Sequence, residues 1–371
     1  MAVEAIVPTV PERLNELGFY TLAGHSASPR DLIGEVHDAE QLSLGSAFVS
    51  ERFNTKEAAT LSGAAAAVSE HLGIATAATN HNTRHPMVTA TMAMTMHKLT
   101  GGRFTLGLGR GFDAQFDVIG LPRVTMAQMA DFIGLMRRLW RGEIIFGHDG
   151  PAGSYPMLFL DPDFDEDIPV LLVALGERTL EFAGGVADAV VLHTFFDDEA
   201  LANSVAAVRR GAAAAGRDPA SVRIWSVLAT IGDHIGPELR LRKTVGRLAT
   251  YLQGYGDVLV QINRWDPEVL TRFRQDDVVA AVGGAIDAKA DLDQLAHIAT
   301  LLPAEWLAAS ATGTPEVCAA RVVSQFDLGA DGVILHGATP AELAPVVEAY
   351  RSVRPAAIAA RAAANPGRFA A

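Results

Sequence analysis

Three glycines at alternating positions form the most distinctive local pattern in the sequence. The segment G-G-R-F-T-L-G-L-G-R-G, residues 101–111, contains Gly107, Gly109 and Gly111. Because glycine has no side chain, the main chain there can approach a flat ring or a phosphate closely. The pattern is not G-x-G-x-x-G, and no suitably placed acidic residue follows it, so a dinucleotide-binding fold is disfavoured. The competing interpretation is that these glycines only fit a strand into a tapering barrel.

A second candidate segment is rich in polar side chains. Residues 76–86 read T-A-A-T-N-H-N-T-R-H-P, in which His81, Asn82 and His85 could donate hydrogen bonds to a ligand. Of the histidines, His81 is the favoured candidate. His85 precedes a proline that begins a predicted helix, so it is equally consistent with a helix cap.

Two further segments place charge at the end of a predicted strand. V-S-E-R-F at residues 49–53 contributes Glu51 and Arg52, either as site residues or as an ion pair at the rim. A-L-G-E-R-T at residues 174–179 places Gly176 and the following amides at the start of a helix, where anions are favoured, and Arg178 adds positive charge. The alternative for the second segment is an ordinary turn.

The histidines near predicted strand ends do not form a recognisable metal motif. The first strand is followed by Gly24, His25 and Ser26, where a metal-dependent hydrolase barrel would have His-x-His. No bridging carboxylate is apparent, and Cys318 is the single cysteine. We therefore expect no metal, although His193 and His336 also lie near strand ends.

Eight short apolar runs, mostly β-branched, predict the strands that position these segments. Runs of this kind are typical of strands buried on both faces of a parallel sheet. They cover residues 18–23, 46–50, 72–78, 104–108, 168–174, 189–193, 222–228 and 332–336.

Predicted helices separate the strands. They cover residues 29–44, 86–98, 125–141, 177–184, 199–216 and 340–353, and Ser28 is the expected N-cap of the first, with Pro29 at its first position. Eight strands that alternate with helices predict an α/β fold of the (β/α)8 TIM-barrel type, whose active site lies at the carboxyl ends of the strands.

The chain has 371 residues, which is more than the roughly 250 typical of such a barrel. We assign the excess to two insertions, residues 143–167 after strand 4 as a hairpin and acidic loop, and residues 230–312 between strands 7 and 8, mostly helical. Residues 1–354 are then a single domain. The Ala- and Arg-rich tail, residues 355–371, is expected to be frayed or to lie on a partner subunit.

Composition limits the possible partners. The net charge is −13, which argues against nucleic-acid and anionic-membrane binding, since both need a basic surface. The start has neither a basic region nor a long apolar run, so it is not read as a secretory signal, and no stretch is apolar enough to span a membrane. We expect a cytoplasmic protein that acts on a small-molecule substrate.

In combination, these segments resemble the bacterial luciferase-like superfamily of flavin- and deazaflavin-dependent oxidoreductases. The resemblance rests on S-E-R-F after strand 2, T-R-H-P at the start of the helix predicted at residues 86–98, and the glycine segment at strand 4. It is extended by A-T-G-T-P-E-V-C-A-A-R at residues 311–321 and L-G-A-D-G-V at residues 328–333, and it covers residues 17–195 and 310–353.

The resemblance implies a hydride-transferring ring at the mouth of the barrel. It implies a cis peptide bond between Thr76 and Ala77 pressing on the ring, and an acidic residue, Glu51, near it. Further contacts carried over from the family are Thr79, Gly107, Gly109 and Gly111, with Gly176 and Glu177 at the phosphate. Arg178 would add its positive charge there. Arg52 and Phe112 stand where the family's sugar-phosphate dehydrogenases have His and Glu, so that activity is not expected.

The resemblance implies either of two cofactors. The Ala/Arg/Gly-rich composition suits a high-GC actinobacterial source, in which coenzyme F420 enzymes of this family abound, and this favours F420 over FMN. We expect an F420-dependent oxidoreductase that functions as a homodimer. An FMN-dependent monooxygenase and a non-catalytic flavin-binding homologue are the alternatives. Arg52, which stays protonated, would orient the substrate or keep Glu51 ionised, and proton transfer would fall to Glu51, His81 or His193.

Overall fold

The structure is a computed structural model that describes residues 12–24, 26–52, 55–111 and 113–370. His25, Phe53 and Phe112, which entered the sequence argument, lie outside the described residues.

Eleven strands are present in the described chain. They are β1 (Leu14–Tyr20), β2 (Leu44–Val49), β3 (Gly73–Thr76), β4 (Phe104–Gly109), β5 (Ile145–Gly150), β6 (Gly153–Leu158), β7 (Val170–Val173), β8 (Ala189–Val191), β9 (Arg223–Gly232), β10 (Ala311–Gly313) and β11 (Gly332–His336).

Eight of these strands form a closed parallel barrel in the order β1-β2-β3-β4-β7-β8-β9-β11. The barrel closes where Leu17 of β1 pairs with Val333 of β11. Each of the eight predicted strands overlaps one of these barrel strands, so the predicted (β/α)8 TIM barrel is confirmed. Phe48, Trp225 and Ile334 fill the interior of the barrel, while a larger apolar layer lies between the strands and the surrounding helices.

Seventeen α-helices surround or extend the barrel in the described chain. They are α1 (Asp31–Gln41), α2 (Ala58–Val68), α3 (Pro86–Leu99), α4 (Asp113–Ile119), α5 (Met126–Trp140), α6 (Glu177–Val186), α7 (Asp198–Ala214), α8 (Pro237–Leu241), α9 (Arg247–Asn263), α10 (Pro267–Gln275), α11 (Asp277–Ala281), α12 (Ile286–Lys289), α13 (Leu292–Leu301), α14 (Ala304–Leu307), α15 (Pro315–Asp327), α16 (Pro340–Val353) and α17 (Ala356–Arg361). Two short helical turns, Pro219–Ser221 and Arg242–Gly246, complete the set.

The predicted start of the first helix is wrong. Helix α1 begins at Asp31 with Arg30 as its N-cap residue, two residues later than expected. Ser28 does not cap the helix, because its Oγ accepts the Arg30 amide while its carbonyl accepts the Asp31 amide in a local turn.

The two segments assigned as insertions have the local structure expected of them. Strands β5 and β6 form an antiparallel hairpin that lies outside the barrel. Helices α8 to α14 follow β9, and β10 then pairs alongside β9. The long helix α9 is kinked at Tyr255, whose φ of −151° and ψ of 35° are not helical. This kink matters below, because Tyr255 lies at the mouth of the barrel.

The C-terminal segment packs across the amino ends of the barrel strands. Asn365 accepts a hydrogen bond from Thr105 Oγ1 at 2.7 Å and donates to the carbonyls of Gly102 and Phe104. The fully buried Arg223 donates to the carbonyls of residues 363, 365 and 368. The expectation of a frayed tail is therefore wrong for residues 355–370, because these buried donors and acceptors hold the segment in place.

Among the described residues, no helix has both the length and the apolar character needed to cross a bilayer. In that same part of the chain, no three His, Cys, Asp or Glu side chains come together as a metal site would require.

Candidate functional site

A cavity of about 800 Å3 opens at the carboxyl ends of the barrel strands. Its lining includes eight of the residues selected from the sequence: Glu51, Arg52, Ala77, Thr79, Gly109, Gly111, Gly176 and His193. Five others, Thr76, Gly107, His81, Glu177 and Arg178, do not line it. The cavity lies where the active sites of (β/α)8 enzymes are found.

Glu51 is held by three polar neighbours at the end of β2. Arg84 Nη2 lies 2.7 Å from Glu51 Oε1, and Asn80 Nδ2 donates to Oε2 at 3.1 Å. Thr79 Oγ1 donates to the same oxygen at 2.5 Å. Arg84 also pairs with Glu57. Arg84, rather than Arg52, is therefore the counter-ion of Glu51, and the hypothesis that Arg52 keeps Glu51 ionised is wrong.

Arg52 points in another direction, towards the segment that follows β1. Its Nη1 donates to the carbonyl of Gly24 at 3.2 Å. Burial and the nearby positive charge of Arg247 lower the pKa of Arg52. Arg247 itself lies 2.8 Å from Asp287 in a buried ion pair.

The floor of the cavity is formed where β3 and β4 end. The cis peptide bond joins Ala77 to Ala78, so the predicted position at Thr76–Ala77 is wrong by one residue. A Cβ added at Gly109 would lie 3.0 Å from the Ala78 side chain. Gly107 lies one layer deeper, where an added Cβ would be 1.6 Å from the Thr76 carbonyl oxygen. Gly107 and Thr76 thus bring the two strands together rather than line the cavity.

Helix α6 begins at the cavity wall. Gly176 is its N-cap residue, has no side-chain cap, and has open space within 4 Å of the position a Cβ would take. The Glu177 side chain pairs with Arg210 and lines an adjoining pocket of about 380 Å3. Arg178 is exposed. The helix start therefore offers main-chain amides to an anion, as the sequence suggested, but without the two charged side chains.

The three candidate histidines differ in their surroundings. His81 is buried outside the cavity, with its ring centroid 5.3 Å from that of Phe132, and burial lowers its pKa. His85 Nδ1 accepts the amide of Met87, so it is the helix cap that was the alternative prediction. Of these three histidines, only His193 lines the cavity.

His193 forms a hydrogen-bonded pair with a tyrosine from the insertion. Its Nδ1 lies 3.0 Å from the Thr194 carbonyl, which can only accept, so Nδ1 carries the proton. Its Nε2 then accepts the hydroxyl of Tyr255, 2.7 Å away. Burial lowers the pKa of His193 to about 4 and raises the pKa of Tyr255, so both groups are neutral near pH 7.

Several cavity residues were not anticipated as site residues. Tyr20, Lys56, Tyr251, Tyr255 and His336 all line the cavity. Tyr251 and Tyr255 come from α9, and no motif in the sequence marks this helix as one that returns to the mouth. Lys56 follows the S-E-R-F segment by three residues, which was a usable signal. His336 ends the last strand and was considered only as a metal ligand.

The fold and the cavity define a class of protein, a (β/α)8 barrel with a large cavity at the carboxyl ends of its strands. Comparison with known families narrows this class. The family described as luciferase-like monooxygenase matches residues 15–332, so the chain belongs to that family.

Named relatives support the assignment to this family. The chain is 28% identical over 304 residues to a 5,10-methylenetetrahydromethanopterin reductase from Methanolobus tindarius, with 80% of this chain and 86% of the relative covered. It is 30% identical over 185 residues to an F420-dependent glucose-6-phosphate dehydrogenase from Beutenbergia cavernae, with 46% and 55% covered. The fold is also that of the coenzyme F420 dependent tetrahydromethanopterin reductase from Methanopyrus kandleri, with a TM-score of 0.76 and 18% identity over 93% of this chain and 100% of that one.

Proposed function

We propose that this protein is an F420-dependent oxidoreductase that transfers a hydride between the deazaflavin and a small organic substrate. The observation that carries the proposal is the cavity, which combines a glycine-bordered floor with an uncapped helix start on its wall. The named relatives support the choice of chemistry, because they are a reductase and a dehydrogenase, and one of them is F420-dependent.

The residues of the cavity fit a ring that carries a phosphate. Gly109 and Gly111 keep side chains away from one wall, and Gly111 has a φ of 68°, which favours glycine. Gly176 leaves the start of α6 open to a phosphate. Two buried polar atoms of cavity residues, Thr194 Oγ1 and His336 Nδ1, have no hydrogen-bond partner among the described residues. Buried polar atoms of this kind are normally satisfied by a ligand or by water.

The chain's own residues have separate roles in this proposal. The deazaflavin, when bound, would accept or donate the hydride. Gly176 and the amides after it would hold the phosphate, while Ala77 and Thr79 would border the ring. Arg84 holds the Glu51 carboxylate in place beside the same wall.

Proton transfer requires a group that contacts the substrate. Tyr255 lines the cavity, and its hydroxyl can take a proton from the substrate as it passes its own proton to His193 Nε2. The reverse transfer returns the proton from Nε2 through the hydroxyl to the substrate. Glu51 is the second candidate. Neither residue needs His81, which lies outside the cavity.

Cofactor titration of wild-type protein and two glycine variants tests the proposal. In Gly109→Val the branched side chain would meet Ala78 and fill the floor, so we expect F420 affinity to fall at least tenfold, measured by the fluorescence of F420. Gly134→Val is the matched control, because among the described residues no atom other than the nearby backbone of its own helix lies within 4 Å of the Cβ position there. Circular dichroism confirms that each variant is folded.

FMN is titrated in parallel. Tight FMN binding without F420 binding would replace the proposal by the FMN-dependent monooxygenase. Binding of neither cofactor, or unchanged F420 affinity in folded Gly109→Val, would contradict the cofactor site.

A further inference from the structure

One side of the cavity carries a cluster of cations that the proposed cofactor contacts do not use. The cluster consists of Arg52 and Lys56, which line the main cavity, and Arg247, which lines a smaller adjoining pocket of about 270 Å3. Arg52 lines both spaces, as do Tyr251 and Tyr255. The two spaces are therefore neighbours that share a wall, and the three cations lie along it.

The charges of the cluster are not fully balanced by its surroundings. Asp287 pairs with Arg247, and Glu35 is the other nearby carboxylate, accepting the amide of Leu22 at 2.7 Å. Burial raises the pKa of Glu35 to about 7, so this carboxylate is only partly ionised near neutral pH. Glu51 forms its ion pair with Arg84, outside the cluster.

Side-chain donors of the cluster also remain available to hydrogen-bond a ligand. Among the described residues, the acceptors of Lys56 Nζ are two main-chain carbonyls, those of Thr21 and Leu22. No carboxylate of the described residues lies within ion-pair distance of Arg52. The Nε of Arg247, a residue that is 5% exposed, has no hydrogen-bond partner among those residues. In a protein of net charge −13, such a local excess of positive charge calls for an anion.

The cluster lies across the barrel from the helix start assigned to the cofactor's phosphate. Gly176 follows β7, whereas Arg52 and Lys56 follow β2 and face the segment after β1. In the closed order of eight strands, β1 and β7 are opposite each other. The two anion-binding features are thus suited to two different anions.

We propose that the substrate carries an anionic group, a carboxylate or a phosphate monoester, which Arg52, Lys56 and Arg247 bind beside the wall shared by the two spaces. The apolar part of the substrate lies against the rings of Tyr20, Tyr251 and Tyr255. This inference rests on the proposed function only in identifying the bound anion as the substrate. The anion site itself is tested without the cofactor.

Three small aromatic probes test the anion site on cofactor-free protein. Benzoate and phenyl phosphate carry the two candidate anions, and benzamide is a neutral compound of similar shape. We expect calorimetric titration at low salt to show at least tenfold tighter binding of one anion than of benzamide, and the preferred anion identifies the group. Adding salt should weaken the binding of the anion and leave benzamide unchanged.

Matched variants locate the site. Arg52→Gln should abolish the preference for the anion, whereas Arg272→Gln, which removes a charge from an exposed position of α10, should preserve it. Equal binding of all three probes by wild-type protein, or an unchanged preference in Arg52→Gln, would overturn the proposal. The salt series on wild-type protein keeps the test decisive if Arg52→Gln does not fold.

F420 titration separates this inference from the proposed function. If F420 binds to Arg52→Gln as to wild type and does not compete with the preferred anion, the cluster is a substrate site. If Arg52→Gln loses F420 binding and the anion competes with F420, the cluster holds the cofactor and the inference is wrong. Failure of F420 to bind to wild type would contradict the proposed function while the probe titrations still decide on the anion site.

Discussion

Glu35 shows how one buried carboxyl can couple the site to pH. It lies beneath the cation cluster, and its pKa is raised to about 7, chiefly by burial. The Leu22 amide and the charges of Lys56 and Lys243 oppose this rise. An acid whose pKa is higher in the folded than in the unfolded state releases its proton more readily on unfolding. Its contribution to the free energy of unfolding is therefore lost as pH rises between the two values.

We predict that Glu35→Gln changes this pH dependence. Glutamine keeps an acceptor for the Leu22 amide but does not titrate. Relative to wild type, the variant's free energy of unfolding should rise by about 3 kcal/mol between pH 4.5 and 8, since one pKa unit corresponds to about 1.4 kcal/mol. Urea unfolding at several pH values measures the difference, and the exposed Glu305→Gln is the control. Parallel pH curves for wild type and Glu35→Gln would show that Glu35 titrates normally.

Single residues also mark where sequence reasoning reached the site and where it did not. Glu51 and Gly109 were found because each stands in a motif at the end of a strand, and strand ends converge at one face of a barrel. Arg84 lies within the T-R-H-P motif, but its pairing with Glu51 bridges 33 residues and is not visible in local sequence. His81 was expected to face the site, but its side chain packs between the barrel and the surrounding helices. A polar residue near a strand end can point in either direction.

At the scale of elements, the C-terminal segment is the least expected feature of the molecule. Its composition is rich in alanine, which predicts little tertiary structure. The segment is nevertheless fixed by buried polar groups, and Trp225 Nε1 donates to the Pro366 carbonyl from inside the barrel. The barrel strands and six of the helices followed from the sequence pattern: α1, α3, α5, α6, α7 and α16. The C-terminal segment and α9, in contrast, depend on partners that are far away in sequence.

We predict that Asn365→Ala is strongly destabilising. The variant loses the bonds to Thr105 and to the Gly102 and Phe104 carbonyls, and leaves buried main-chain acceptors unsatisfied. At about 1 kcal/mol for each such bond, we expect the free energy of unfolding to fall by about 3 kcal/mol in urea titration. Ser352→Ala, which removes one exposed bond to the Ala349 carbonyl, is the control. A loss below 1 kcal/mol would show that the segment is not held by Asn365.

At the scale of the whole molecule, the insertion and the barrel share one apolar core. Leu248 and Leu252 of α9 and Leu295 of α13 belong to the same buried cluster as Leu335 of the barrel. Within the insertion, the rings of Trp265 and Trp306 stack with centroids 4.5 Å apart. From this continuity we expect residues 230–312 to fold as part of the barrel domain.

We therefore predict that the insertion and the barrel unfold together. Hydrogen exchange of peptides from α9 and α13 should rise at the same urea concentration as that of peptides from β9 and β11. The exposed hairpin β5–β6 is the internal control, since its amides should exchange at lower urea. An insertion that exchanges fully while β9 stays protected would mean that residues 230–312 form a unit of their own.

The closure of the barrel by β1 and β11 has a consequence for biosynthesis. Leu17 cannot pair with Val333 until more than three hundred further residues have been added. At about 5–20 residues per second, the ribosome needs on the order of 15–60 s for this stretch. During that time β1 remains an unpaired edge of an unfinished sheet, a form that invites association with other chains. The nascent polypeptide is therefore most exposed to aggregation before β11 emerges, and a chaperone that shields the first strand would act in this interval.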